Sequence, residues 1–296
     1  MPAHARPRAY ARPVLRIHDA RTGEPVPAAP ARRGPTRIEA HAPDPDLTAL
    51  RVLLTADLLA RALELDGTPV WTVLAAPQEI AELRAAVKAL AIRPFEESRD
   101  ATSGPGRTQT VHVVKEGERT PDGGVAVTVA PVAWTGEEER TGEGERAEAA
   151  GGTEETGEPE ETGEPVAGGE GERAGMPGLP ALLADPTALR LALLSVPRNT
   201  PVRLDTAALD AAARTLAHWR SAVARWARQP SRPVPDEVRA RLREAWEEDL
   251  DLPAVLNVLR DVESAPGPAD GARFETYVYA DRLLALDLAR DLGSVA

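Results

Sequence analysis

The chain has 296 residues, an apolar fraction of 42% and a formal net charge of −12, so it is long and apolar enough to form two ordinary domains. It contains no cysteine, which excludes disulfide bonds, thiolate metal sites and a cysteine nucleophile. No apolar run approaches the roughly 18 residues of a membrane span, and the basic N-terminus lacks the apolar core of a signal peptide. We therefore expect a cytoplasmic protein. Its richness in Ala, Gly, Pro and Arg is typical of a high-GC bacterial genome.

The first predicted domain covers residues 13–134 and follows an N-terminal arm, 1–12, that we expect to be disordered. Its predicted elements are, in chain order, strands at 13–19 and 36–42, a helix at 46–65, a strand at 69–75, a helix at 77–91, and strands at 110–116 and 125–134. The PDGG sequence at 121–124 predicts a hairpin between the last two strands. Strands that alternate with helices in this way indicate a Rossmann-like α/β domain.

The negative charge lies in one segment. Residues 135–173 contain 14 Glu and 3 Arg, a charge of −11, so the rest of the chain sums to about −1. The sequence EETGEP occurs twice in tandem, at 154–159 and 160–165. A Glu/Gly/Thr/Pro tract cannot bury enough apolar surface to offset its ordering entropy. We predict an acidic, disordered linker at 135–178, with a specific acidic docking element as the alternative.

The second predicted domain, 179–296, is helical. Asp185 and Pro186 have the types expected at an N-cap and a first helical position, and Pro235 begins another helix. A helix at 206–228 carries an apolar seam with spacings of three and four residues, formed by Leu209, Ala212, Leu216, Trp219, Val223 and Trp226. A last helix is predicted at 274–292. This pattern favours an all-α helical bundle.

One set of residues at the start of the helical region forms a pattern: Asp185-Pro186, Leu189-Arg190, Leu193-Leu194-Ser195, Arg198 and Pro201. This pattern resembles the entry into the helical domain of the cysteinyl-tRNA synthetase family of class I aminoacyl-tRNA synthetases. A second match is DLDLPAVLNVL at 249–259, and a weaker match, VLRIHDARTGEPV, lies at 14–26. The resemblance covers about residues 13–75 and 179–292. It implies a class I nucleotide-binding domain followed by a helical domain that contacts tRNA.

The family's catalytic motifs are missing. Alignment on Arg51 and Asp57 places DLTA, residues 46–49, where the ATP-binding HIGH motif belongs, so its histidine and glycine are lost. No lysine precedes Leu179 where the KMSKS loop belongs, and the thiolate zinc ligands do not exist. The resemblance therefore implies a truncated, degenerate paralogue that does not activate cysteine and holds neither zinc nor ATP. We interpret it as a non-catalytic binding or regulatory module. The alternatives are an ATP-dependent ligase of altered chemistry on the same fold and a tRNA-binding protein that uses the helical bundle.

One helix face is a candidate RNA contact. On the helix at 206–228, Arg214, His218, Arg225 and Arg228 fall on one side, opposite the apolar seam. This basic face is suited to tRNA phosphates, with an ordinary solvated surface as the alternative. A tRNA or a protein is therefore a possible partner, whereas neither DNA nor a membrane is expected.

Two further features bear on site chemistry. None of the five histidines forms an H-x-x-x-H or H-x-H pair, so spacing predicts no metal site, and no catalytic or cofactor-binding residue is assigned. His41, Asp44 and Asp46 are the one cluster suited to coordination or acid–base work, with a solvated loop as the alternative. Asp281 lies within an apolar stripe of the last helix and needs a partner, either a structural arginine or a ligand.

Overall fold

The computed structural model describes residues 15–29, 35–75, 81–97, 109–135 and 182–293. The predicted arm at 1–12, the EETGEP repeats and nearly all of the predicted linker lie outside these ranges. The strands are β1 Arg16–His18, β2 Pro25–Pro27, β3 Thr36–His41, β4 Val70–Ala75, β5 Glu96–Glu97, β6 Gln109–Lys115, β7 Val125–Val129, β8 Val132–Trp134 and β9 Val202–Leu204. The helices are α1 Leu47–Leu65, α2 Ala81–Ala89, α3 Pro186–Leu194, α4 Thr206–Trp226, α5 Asp236–Glu247, α6 Leu252–Ser264 and α7 Asp270–Leu284.

A five-stranded parallel sheet forms the centre of the N-terminal part, with strand order β5-β4-β3-β6-β7. Successive side chains of a strand point to opposite faces. In β3, Ile38 and Ala40 are buried in the hydrophobic core with α1, whereas Glu39 and His41 are half-buried on the other face. The strand order reverses between β3 and β6, as in doubly wound folds. The result is a mixed α/β fold with a parallel sheet, compatible with the Rossmann-like prediction.

The predicted hairpin at 121–124 is wrong. Strands β6 and β7 pair in parallel, from Val111 opposite Val125 to Lys115 opposite Val129. Residues 116–124 therefore carry the chain from the end of β6 back to the start of β7, and do not form a tight hairpin turn. Arg21 holds this return loop by donating hydrogen bonds to the carbonyl oxygens of Gly123 and Gly124, both at 2.6 Å. A turn-forming sequence predicts only where the chain bends. Whether the next strand pairs parallel or antiparallel depends on the contacts that hold the loop.

The strand predicted at 125–134 is interrupted at Pro131. Proline has no N–H to donate to a ladder, and the chain leaves the main sheet there. Residues Val132–Trp134 form β8, which pairs in parallel with β9. The buried guanidinium of Arg51 in α1 donates to the carbonyl oxygen of Ala130 at 3.0 Å, next to this break. Thus one predicted strand contributes to two separate sheets.

Two of the predicted helix starts in the C-terminal part are confirmed. The Asp185 carboxylate accepts the N–H of Ala188 at 3.0 Å and caps α3, whose first residue is Pro186. Helix α5 begins directly after Pro235. The predicted last helix at 274–292 is wrong at both ends. Helix α7 begins at Asp270 and ends at Leu284, where Ala285 adopts a left-handed φ of 49°.

Apolar residues from both sides of residues 136–181 share one hydrophobic core. Buried charged groups reinforce it. Arg190 in α3 donates to the carbonyl oxygens of Leu284 at 2.6 Å and Leu90 at 2.7 Å, and lies 3.3 Å from the carboxylate of Asp57 in α1. Burial lowers the pKa of Arg190 to about 10, and it is still a cation at neutral pH. In the described part of the chain, no helix combines the length and apolar character needed to cross a bilayer.

Candidate functional site at the carboxyl edge of the sheet

The carboxyl ends of β3 and β6 meet where the strand order reverses, the position at which doubly wound folds bind ligands. Helix α1 begins there, and its N-terminus is closed by the protein itself. The Asp46 carboxylate accepts the N–H of Ala49 at 2.6 Å, while Lys115 at the end of β6 lies 3.2 Å from its other oxygen. A helix N-terminus attracts anions, and here an internal carboxylate takes that place.

The residues that follow Asp46 are packed away from solvent. Leu47, Thr48 and Ala49 are 1%, 3% and 3% exposed. The Thr48 hydroxyl oxygen accepts the N–H of Val132 at 3.1 Å, so β8 lies directly against this turn. The turn is therefore packed against β8, while the Asp46 side chain at its start is 37% exposed.

A cluster of two histidines and one carboxylate lies on the sheet face opposite α1. His41 Nε2 is 3.2 Å from His112 Nδ1, and His112 Nδ1 is 3.7 Å from Glu39 Oε2. One ligand atom from each residue lies within 4.8 Å of the others. We call Glu39, His41 and His112 the histidine–glutamate cluster. It combines the nitrogen and oxygen ligands that first-row metal ions use in proteins.

Burial lowers the pKa of His41 and also that of His112. The negative charge of Glu39 acts on both rings in the opposite direction without reversing the shift, and for each ring the positive charge of Arg37 adds to the lowering. Both rings are therefore neutral at physiological pH. A neutral imidazole keeps the lone pair that a metal ion or a hydrogen-bond donor needs.

Arg37 fixes the carboxylate of the cluster. Its Nη2 lies 3.5 Å from Glu39 Oε2, and its guanidinium stacks 5.5 Å from the centre of the Trp71 ring on β4. The Glu39 and His112 side chains are 15% and 8% exposed. The cluster is thus held by neighbouring strands and reaches solvent along one side.

Sequence reasoning missed this cluster because His41 and His112 are 71 residues apart. No spacing in the sequence reports it, because it depends on the parallel register that places Glu39 opposite His112. The predicted cluster of His41, Asp44 and Asp46 does not assemble. Asp46 caps α1 and pairs with Lys115, while His41 turns to the neighbouring strand.

The candidate RNA-contact residues are all exposed, but Arg228 lies just beyond α4, which ends at Trp226 and not at the predicted residue 228. On α4, Arg214, His218 and Arg225 lie opposite buried Leu216 and Val223. His218 Nε2 lies 2.6 Å from Glu263 of α6, so a carboxylate borders one part of this basic face. Asp210, also exposed, lies one turn before Arg214 on the same helix.

The Asp281 carboxylate is bound by backbone groups. Its two carboxylate oxygens accept the N–H groups of Leu286 at 2.7 Å and Leu288 at 3.0 Å, which lie just beyond the end of α7. Burial raises the pKa of Asp281, and these two hydrogen bonds and the charge of Arg190 oppose the increase. This carboxylate therefore organises the end of a helix.

No protein-family model and no curated protein matches this chain. Among solved structures, a similar chain is a provisionally assigned arginyl-tRNA synthetase from Campylobacter jejuni, with 9% identity and a TM-score of 0.47. The alignment covers 88% of this chain and 94% of that chain. A likeness at this level assigns neither a family nor an activity.

Proposed function

We propose that this protein is a synthetase-like binding module that does not activate an amino acid. The observation that carries the proposal is the closed N-terminus of α1. Adenylate formation needs that turn to receive a nucleotide and its phosphates, and here the Asp46 carboxylate already accepts the N–H of Ala49. A phosphate would have to displace this cap and separate Asp46 from Lys115.

The packing around the turn supports the same conclusion. Thr48 bonds the backbone of Val132, and Arg51 one turn later donates to carbonyl oxygens of Ala130, Val196, Pro197 and Thr200 at 2.7–3.2 Å. Arg51 is 2% exposed. The residues on which the alignment with the synthetases depends therefore serve to hold α1 against the C-terminal part of the protein.

The test is ATP–pyrophosphate exchange with the full chain, using cysteine and then a mixture of all amino acids, with an authentic cysteinyl-tRNA synthetase as the positive control. We expect no exchange and no ATP-induced rise in Tm, because the anion position is already filled. Exchange at even a few per cent of the authentic enzyme's rate would contradict the proposal and favour a ligase of altered chemistry.

A second candidate, RNA binding by α4, is favoured by the common exposure of its basic residues. If Arg214, Arg225 and Arg228 contact phosphates, the logarithm of tRNA affinity should fall with the logarithm of salt concentration by about 0.7–0.9 per contact. Changing all three to Glu should abolish binding without loss of Tm, because exposed substitutions usually cost within about 0.5 kcal/mol each.

The matched control for that experiment is a variant with the same charge change elsewhere, Arg239→Glu, Arg241→Glu and Arg282→Glu on α5 and α7. It should keep most of the wild-type affinity if α4 is the contact surface. Equal losses in both variants would mean that net charge alone governs binding. Absence of wild-type binding below about 10 µM at low salt, where even non-specific binding is normally seen, would rule out the RNA candidate.

A further inference from the structure

We propose that Glu39, His41 and His112 form a binding site for one divalent first-row transition-metal ion, with Zn²⁺ as the best-suited probe. The inference does not depend on the proposed function, since a metal site here neither requires nor excludes amino-acid activation. The proposed site uses no thiolate ligand, because the chain has no cysteine.

The geometry is the first argument. In a tetrahedral site with Zn–N bonds of about 2.0–2.1 Å, two ligand nitrogens lie about 3.3–3.4 Å apart. His41 Nε2 and His112 Nδ1 are 3.2 Å apart and belong to rings on adjacent strands. The Glu39 oxygen lies 3.7 Å from His112 Nδ1, and all three ligand atoms lie within 4.8 Å of one another, so Glu39 can supply a third ligand after a shift of its side chain.

The support around the cluster is the second argument. Metal ligands depend on outer partners that hold their orientation, and Arg37 both contacts the Glu39 carboxylate and stacks on Trp71. Strand residues are also more precisely placed than loop residues. The positive charge of the Arg37 guanidinium repels a metal ion bound at the cluster, and the negative charge of the Glu39 carboxylate reduces this repulsion.

The position of the cluster suggests what the ion would do. Three protein ligands leave a fourth position for water or a small donor ligand, as in zinc sites that bind substrates. His41 is the last residue of β3, at the carboxyl edge where doubly wound folds bind ligands, whereas Glu39 and His112 lie further back on the same face of the sheet. The site is therefore built to hold an ion that an oxygen- or nitrogen-donor ligand can reach.

The experiment titrates chelator-treated full-length protein with Zn²⁺ by calorimetry and with Co²⁺ by visible absorption. We expect one ion per chain with a Kd below about 10 µM, a free energy of about −7 kcal/mol or stronger. The Co²⁺ complex should show the strong visible bands of a four-coordinate site with nitrogen ligands. Glutamates of the acidic segment would give only weak, octahedral-type absorption.

Three variants locate the site: His41→Ala, His112→Ala and Glu39→Gln. Loss of a direct ligand should weaken binding by more than the roughly 10–100-fold seen for outer-shell partners. The matched control is His218→Ala, which removes a histidine that also lies beside a glutamate, Glu263, but has an exposed ring. That variant should bind Zn²⁺ like the wild type.

Two results would overturn the proposal. One is the absence of stoichiometric binding tighter than about 10 µM, which would leave the cluster as a hydrogen bond between two neutral imidazoles. The other is unchanged binding in His41→Ala and Glu39→Gln. Because His112 is buried and its variant can fail to fold, Tm without metal is measured for each variant, and the half-buried His41 position carries the test in that case.

Discussion

At the scale of single residues, the buried carboxylate of Asp57 shows how charge joins parts of the chain that are distant in sequence. It accepts hydrogen bonds from Arg61 at 2.8 Å and Arg93 at 3.0 Å, and Arg190 lies 3.3 Å away. Burial by itself raises the pKa of Asp57, but the surrounding guanidinium groups outweigh it, and this pKa lies below its ordinary value. The carboxylate is thus charged in the folded state, and the arginines depend on it.

The variant Asp57→Asn should lower the free energy of unfolding by about 3 kcal/mol, because it leaves buried guanidinium groups without their counter-charge. A carboxyl whose pKa is lowered by folding stabilises the protein above its unfolded pKa of about 4, and this contribution disappears as pH falls further. The difference between wild type and variant should therefore be full at pH 7 and shrink below about pH 4.

Urea unfolding over this pH range measures the effect, and Asp261→Asn is the matched control. Asp261 also pairs with an arginine, Arg241, but its side chain is 58% exposed, so its removal should cost less than about 1 kcal/mol. Equal losses for the two variants would mean that the Asp57 cluster contributes no more than a surface pair.

At the scale of elements, the return loop at 116–124 decides the topology of the sheet. Two strands joined by a short turn normally pair antiparallel, yet β6 and β7 are parallel. The loop passes so close to β6 that a Cβ built on Gly124 would lie 2.3 Å from the carbonyl oxygen of Thr110. Gly124 also has a φ of +64°. A glycine here is required both by the backbone conformation and by the space.

We expect Gly124→Ala to destabilise the protein clearly more than Gly117→Ala. Both positions have a positive φ, for which an L-residue costs about 1–2 kcal/mol, but a Cβ at Gly117 meets nothing within 4 Å. The difference between the two values of Tm therefore isolates the contact with Thr110. Similar values for the two variants would show that the loop can move away from β6 without cost.

At the scale of the whole molecule, β1 packs against the short segment between α5 and α6. The N–H of Asp249 donates to the carbonyl oxygen of Arg16 at 2.9 Å, and the Asp249 carboxylate accepts the N–H of His18 at 2.8 Å. Asp249 and Leu250 both adopt left-handed backbone angles at this junction, with φ of 56° and 55°. Such backbone strain persists only where surrounding contacts hold it.

The division into an α/β domain and a helical bundle at residues 13–134 and 179–296 stays a prediction. Pairing of β8 with β9 and the anchoring of Arg51 and Arg190 cross the proposed boundary. These contacts mean that each part is packed against the other. The basic face of α4 and the histidine–glutamate cluster therefore lie on parts of the chain that share one hydrophobic core.

The sequence by itself determined those features that depend on neighbours a few residues away. The apolar stripe of α1, the cap of α3 at Asp185 and the exposed row of arginines on α4 follow from helical periodicity and cap chemistry. The absence of cysteine, of a HIGH motif and of a KMSKS lysine is likewise read directly from the chain. Each of these needs only local sequence.

Only the tertiary structure decided which distant residues meet. The parallel pairing of β3 with β6 brings His112 beside Glu39 and His41, and no spacing in the sequence reports that register. The same holds for Asp57 and Arg190, which are 133 residues apart, and for Asp281, whose carboxylate closes the end of α7 where periodicity predicted more helix. A strand carries its side-chain alternation in its own sequence, but its partner and register are set by the packing of the whole core.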